Sequence, residues 1–393
     1  MMAALSYRFT FASLLVLTLS TTLWGQSVSV PMNLDRWTVG EKNERINPGK
    51  KIENNIAEYL GRSSLHLTKG FAYIRDLEMQ NGIIDADLAF DPDGAFIGLA
   101  FRVQSEDDYE LFFLRNGLSG ETQALQYTPG FFGANAWQMY NIPTYAGAGG
   151  FPYDKWFHVR VVVAGVEARL FLNHSTEPSL VIPDLKRGYS TGSIGFWGQQ
   201  GGGYISNLEY TPDNTTYHIP HKDDYLPGTL TDWELSDAFD AAEKDPASYP
   251  DIHGLKWEKV KAENPGMVVI GRYRRDPNVL PPNDQPGEQP GPYKPFERVA
   301  GSKFVFARTT IHSGVRALRK MNVGYSDEVV VYLNGQPIYE GNNSFGSRQP
   351  GFLGLINPNH DAVFLSLKKG DNELLLAVTE FFGGWGFMCR MGD

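Results

Sequence analysis

The stretch Asp327–Tyr339, DEVVVYLNGQPIY, constrains this chain more than any other. A run of β-branched and aromatic residues leads into Asn334-Gly335, and a second strand begins after it. Asn-Gly supplies the two positive-φ positions of a type I′ turn, whose twist matches the strands it joins, so the pattern predicts a tight hairpin. Residues Val329 to Leu333 are apolar on both faces, which predicts a strand buried in a sandwich rather than half exposed on an open sheet. An earlier stretch, Val159–Asn173 (VRVVVAGVEARLFLN), again sets two apolar strands about a turn. Together they predict an all-β chain with two tandem β-sandwich (jelly-roll) modules.

The chain has 393 residues, more than one hydrophobic core usually holds. The expected divisions are a signal at 1–25, a first sandwich at 28–212, a linker at 213–228 and a second sandwich at 229–393. Near the N-terminus Arg8 precedes the apolar run Phe9–Leu23, and Gly25 offers a small residue before Gln26, the pattern of a secretory signal. The run is shorter than the roughly 20 residues of a spanning helix, and Ser20, Thr21 and Thr22 interrupt its end. No later segment is long and apolar enough to span a membrane. The expectation is a protein that is secreted, periplasmic or held at the cell surface.

Cys389 is the single cysteine, so packing alone must hold the fold. A net charge of −10 without long acidic runs argues against nucleic acid, which needs a basic face. Aromatics make up 13% of the chain and include eight Trp, a mix that suits turn-rich β modules and surfaces that stack on sugar rings.

In the first module, short strands are expected at 64–67, 71–74, 82–90, 96–103, 109–115, 124–128, 156–163, 168–172, 192–198 and 204–210, with no amphipathic helix between them. The succession GIIDADLAF, AFIGLAFR, DDYELFFLR, DKWFHVRVVVAGVEARLFLN, GSIGFWG and YISNLEY resembles the concanavalin A-like jelly roll of laminin G-type and lectin/glucanase domains. That resemblance implies a fold; its superfamily holds lectins, adhesion modules, glycosidases and lyases alike.

Three candidate sites follow. Glu106, Asp108 and Glu110 have the E-x-D-x-E spacing that resembles the catalytic strand of laminarinase-type glucanases, where alternation along a strand sets three carboxylates on one face. Their SEDD context also reads as a polar turn between two apolar strands. Asp91 and Asp93, in Asp91-Pro92-Asp93-Gly94, offer two carboxylates to calcium, or simply make a turn. The glycine-rich connection from 129 to 155 carries Trp137, Tyr140 and Tyr145; with Trp197, these rings are expected to form a ligand surface, or else to cover the end of the sandwich.

Beyond a polar join that holds His218, His221, Asp223 and Asp224, strands are expected at 268–273, 303–311, 315–323, 328–333, 362–367, 372–380 and 385–390. The proline- and glycine-dense stretch 276–295 reads as a surface loop. FVFARTTIHS, VRALRKMNVGYSDEVVVYLNGQPIY and VFLSLKKGDNELLLAVTEFFGGWGF resemble the galactose-binding-like jelly roll appended to many bacterial glycoside hydrolases. That resemblance implies an accessory domain that binds carbohydrate or packs on a neighbour. Trp385, among glycines, is a further candidate platform or core residue, and Cys389 beside it reads as a buried apolar residue. Asn173, Asn214 and Asn342 stand in glycosylation sequons.

Two readings remain from the sequence. One is an exported non-catalytic protein that binds polysaccharide or other surface proteins, without a required cofactor. The other is a glycosidase or lyase acting through Glu106, Asp108 and Glu110.

Overall fold

The computed structural model describes residues 25–40, 54–219, 223–275, 302–349, 351–380 and 382–392. Residues 1–24 of the expected signal (1–25), the loop at 276–295, and His221 lie outside them.

Residues 28–213 build two antiparallel sheets packed face to face. The front sheet runs in the order Leu180–Ile182, Glu167–Leu172, Phe157–Ala164, Asn81–Phe90, Gly203–Asp213, Arg62–Leu67 and Asn54–Tyr59. The back sheet runs Ala134–Asn135, Leu125–Phe131, Asp108–Arg115, Phe96–Ser105, Ser193–Gln199, Gly70–Ile74 and Trp37–Gly40. Strand alternation sorts the front sheet cleanly. Ile84, Ala86, Leu88 and Phe90 point into the core with Val159, Val161 and Val163. Asp85, Asp87, His158 and Arg160 therefore point outward, because successive side chains alternate between faces. The stretch Val159–Asn173 forms the expected hairpin, yet its outer face mixes Arg160, Glu167 and Arg169 with Val162 and Phe171.

The second pair of sheets is built from residues 232–391. A large sheet runs Glu258–Lys261, Asp232–Leu235, Lys303–Ser313, Gly370–Glu380, Glu328–Leu333 and Gln336–Asn342; a small one runs Val268–Val269, Gly386–Met391, Ala317–Ser326 and Asp361–Leu367. The Asn334-Gly335 hairpin forms as expected. Leu333 pairs with Gln336, and both turn residues have positive φ, 49° and 82°. The strand before it is apolar on both faces for two different reasons. Val329, Val331 and Leu333 fill the sandwich core, while Val330 and Tyr332 lie on the outer face beneath a roof formed by Phe239, Leu255 and Trp257.

The two pairs of sheets share apolar packing, since Met267, Val269 and Ile356 join the core of the first sandwich. Each buried methylene contributes about 0.8 kcal/mol, so this contact supports a fixed arrangement. The connection from 129 to 155, expected to be irregular, contains one helical turn, Trp137–Tyr140, and runs along this contact. Gln138 anchors it: its backbone N–H donates to Gly383 O at 3.0 Å and its side-chain amide to Leu353 O at 2.7 Å. A side chain at Gly383 would strike the Gln138 amide, so glycine is required at this close approach.

Candidate functional site

The rings expected to form a ligand surface are mostly inside the molecule. Tyr140 and Tyr145 are 0% exposed. The Tyr140 hydroxyl donates to Glu263 Oε1 at 2.5 Å, and the Tyr145 hydroxyl donates to Asn264 O at 2.9 Å and reaches Asp184 at 3.0 Å. Glu263 also accepts from Arg272 and lies 3.5 Å from Lys186 Nζ, which pairs with Asp184 at 2.7 Å. Burial alone would raise the Glu263 pKa; the Lys186 and Arg272 charges and two hydrogen bonds outweigh it and hold the carboxyl below its ordinary value. These tyrosines thus correct the expectation of a sugar platform: the loop locks the two sandwiches together. Trp137 is half-buried and meets Phe382 edge-on at 6.0 Å. Trp197, 4% exposed, packs on Phe113 and Phe96 on the outer face of the back sheet. Trp385 is a core residue whose indole N–H donates to Val378 O at 3.0 Å.

The three carboxylates do not form one strand row: Asp108 and Glu110 share a face of the strand and both meet Arg187, but Glu106 lies outside it. Glu106 lies in the turn between strands Phe96–Ser105 and Asp108–Arg115, and Asp108, at the start of the second, meets Arg187 at 3.3 Å. Glu110 points inward, fully buried, accepting from the Tyr127 hydroxyl and from the Arg187 backbone N–H at 2.8 Å. Burial pushes its pKa up, partly offset by those two donors. The flanking Tyr109, Leu111 and Phe113 occupy the outer face of that strand, and Glu110 is 0% exposed on the inner one.

Asp91 makes a turn rather than an open ligand pair. It accepts from His66 Nε2 at 2.9 Å and the Tyr204 hydroxyl at 3.4 Å, and its other oxygen accepts from Asp93 N at 3.4 Å. Among the described residues no group of three His, Cys, Asp or Glu side chains is placed to hold a metal ion.

What the structure gathers instead is the outer face of the front sheet. His158 stands between two aspartates, Nε2 at 3.0 Å from Asp85 and Nδ1 at 3.1 Å from Asp87. Only the doubly protonated ring donates to both, and hydrogen bonds to Asp85 and then Asp87 outweigh burial to push its pKa up to about 9. Arg160 pairs with Asp85 at 2.7 Å and Arg62 with Asp87 at 2.6 Å, while the Asn207 amide donates to Asp87 at 2.8 Å. Both aspartates titrate below their ordinary value: burial raises them, and these donors overcome it. Arg62 lies over the half-buried Trp156 ring at 5.2 Å, and Tyr59 meets that ring edge-on. A groove of about 520 Å³ opens beside them, lined by Ser29, Arg62, Ser63, Ser206, Asn207 and Glu209 among others.

No family model matches the chain, and no curated protein matches it. Solved structures are similar over just under half of its length. The carbohydrate binding module CBM66 from Bacillus subtilis is 11% identical, covers 44% of this chain and 94% of its own, and gives a TM-score of 0.32. The Bacillus licheniformis beta-glucanase is 11% identical, with 48% and 99% covered and a TM-score of 0.34. The exoplasmic/lumenal domain of VIP36, in its Ca2+/Man3GlcNAc-bound form, is 9% identical, with 49% and 90% covered and a TM-score of 0.33. At these identities and scores no functional step rests on the likeness.

The outer-face cluster was missed at the level of sequence although its signal was present. GIIDADLAF and FHVRVVV both alternate, and alternation with Asp, His and Arg at the polar positions marks a face where charges meet across strands.

Proposed function

We propose that this is an exported, non-catalytic glycan-binding protein that holds its ligand on the outer face of the front sheet. The observation that carries the reading is the charge-paired row Arg62, Asp87, His158, Asp85 and Arg160, whose Arg62 end lies over Trp156 and lines an open groove. Each cation in that row is paired with an aspartate, and Glu209 on the groove wall balances the third positive charge. Such a face exerts little pull on a free ion, yet its donors and acceptors are fixed in place by one another, which suits the neutral hydroxyls of a sugar. Export is supported by the pattern of Met1 to Gly25. The inward position of Glu110 speaks against catalysis through the E-x-D-x-E strand.

The test is a screen of the mature chain against a polysaccharide panel, reading melting temperature and released reducing sugar, with and without a calcium chelator. A glycan that prefers the folded state raises the melting temperature. The expected result is a rise with at least one neutral glycan, no released sugar, no effect of the chelator, and at least a tenfold loss of affinity in the double variant Arg62→Ala/Asn207→Ala. Sugar release that disappears in Glu110→Gln would replace binding with hydrolysis, and the absence of any glycan response would overturn the reading.

A further inference from the structure

We infer that the large sheet of the second sandwich carries a second, independent binding groove for a neutral polyhydroxylated ligand, a glycan chain; this rests on the glycan reading above. The outer face of that sheet is divided in two. Over one half, the chain between Phe239 and Trp257 lies as a roof on Phe304, Phe306, Val330 and Tyr332. The roof ends at two rings, Trp257 and the exposed Tyr249. Beyond them the sheet is open, and a groove of about 440 Å³ has Asp232, Glu234, Lys259, Arg308, Thr310 and Glu373 on its floor.

The floor is ordered by strand register. Glu234 pairs directly with Lys259 on one side and with Arg308 on the other, and Thr310 pairs with Glu373. Arg308 is held by two contacts. Its Nε donates to Glu234 at 2.7 Å, and its guanidinium lies flat on Trp257 at 4.1 Å. Among the described residues nothing accepts from its two terminal nitrogens, so a fixed donor fork faces the groove. The Tyr249 hydroxyl donates to Glu373, which fixes an acceptor opposite. Rigid donors and acceptors at close spacing suit vicinal hydroxyls on a sugar ring. Three carboxylates against two cations disfavour an anionic ligand, since the uncompensated charge repels it.

The experiment separates this groove from the first-sandwich face. Affinity gel electrophoresis of the mature chain would use laminarin, xylan, galactomannan and polygalacturonate, comparing wild type, Arg62→Ala/Asn207→Ala, and that double variant with Arg308→Met or Thr310→Trp added. The second change adds bulk on the exposed groove floor without touching the core. Melting temperatures show whether each variant is folded. The double variant is expected to keep binding to a neutral polysaccharide, and either addition is expected to weaken that residual binding at least tenfold. If wild type binds and the double variant binds nothing, the groove is empty and only the first site stands. Residual binding that ignores both additions, or that favours polygalacturonate, also overturns the groove. Binding undiminished in Arg62→Ala/Asn207→Ala and lost only when Arg308→Met or Thr310→Trp is added would instead sink the first site and keep this one. No binding by wild type sinks both.

Discussion

The junction between the sandwiches and the outer face of the front sheet are made of the same materials, and they do opposite work. At the junction, Lys186, Arg272, Asp184 and Glu263 are tied to Tyr140 and Tyr145; on the outer face, Arg62, Arg160, Asp85 and Asp87 are tied to His158 beside Trp156. The difference lies in water. The Lys186 side chain is 4% exposed, whereas that of Arg160 is 49% exposed. Charges removed from water attract strongly and become very costly when one partner is lost; exposed pairs are screened and contribute little. The junction is therefore a structural lock, and the outer face presents its paired donors and acceptors to solvent, where a ligand can reach them.

The sharpest way to break that contrast is Glu263→Ala. The substitution leaves Lys186 and Arg272 without their shared carboxylate in a buried site, and a loss of about 3–5 kcal/mol is expected by denaturant unfolding. A loss under about 1 kcal/mol would mean that the junction is solvated like the outer face. Tyr145→Phe is milder. It removes a buried donor and leaves Asp184 and the Asn264 carbonyl short of a partner, for an expected loss of about 1–3 kcal/mol. The matched change on the outer face, Arg160→Ala, is expected to cost about 0–1 kcal/mol.

The comparison also explains what could be read from the sequence. The Asn334-Gly335 hairpin and most strands were legible because turn chemistry and alternation are local. Tyr140 and Tyr145 were not, because a ring destined for an interface and one destined for a ligand look alike, and the Glu263 partner of Tyr140 lies 123 positions away. The E-x-D-x-E spacing was legible but its facing was not. Tyr109 and Leu111 are as apolar as the core residues beside them, and only the packed sheets reveal that they point outward and Glu110 inward. The two short charged strands Asp232–Leu235 and Glu258–Lys261, which form the edge of the second groove, were lost because four residues carry too little pattern.

A pH titration tests whether the outer-face cluster is as solvated as the comparison requires. His158 has a folded-state pKa raised to about 9 by its two aspartates, so its contribution to stability is complete below the ordinary histidine value near 6.5 and is lost as pH rises through about 9. By linkage the loss is about 1.4 kcal/mol for each unit by which solvent screening leaves the folded midpoint above 6.5. Unfolding free energies measured across that window should fall for the wild type and stay flatter for His158→Gln, and an NMR titration should place the ring's midpoint near 9. Glycan affinity should fall over the same window, because a neutral ring can donate to only one aspartate and releases the other. A midpoint near 6.5 would show that the aspartates do not hold the ring as a cation, and the fixed geometry on which the binding face depends would go with it.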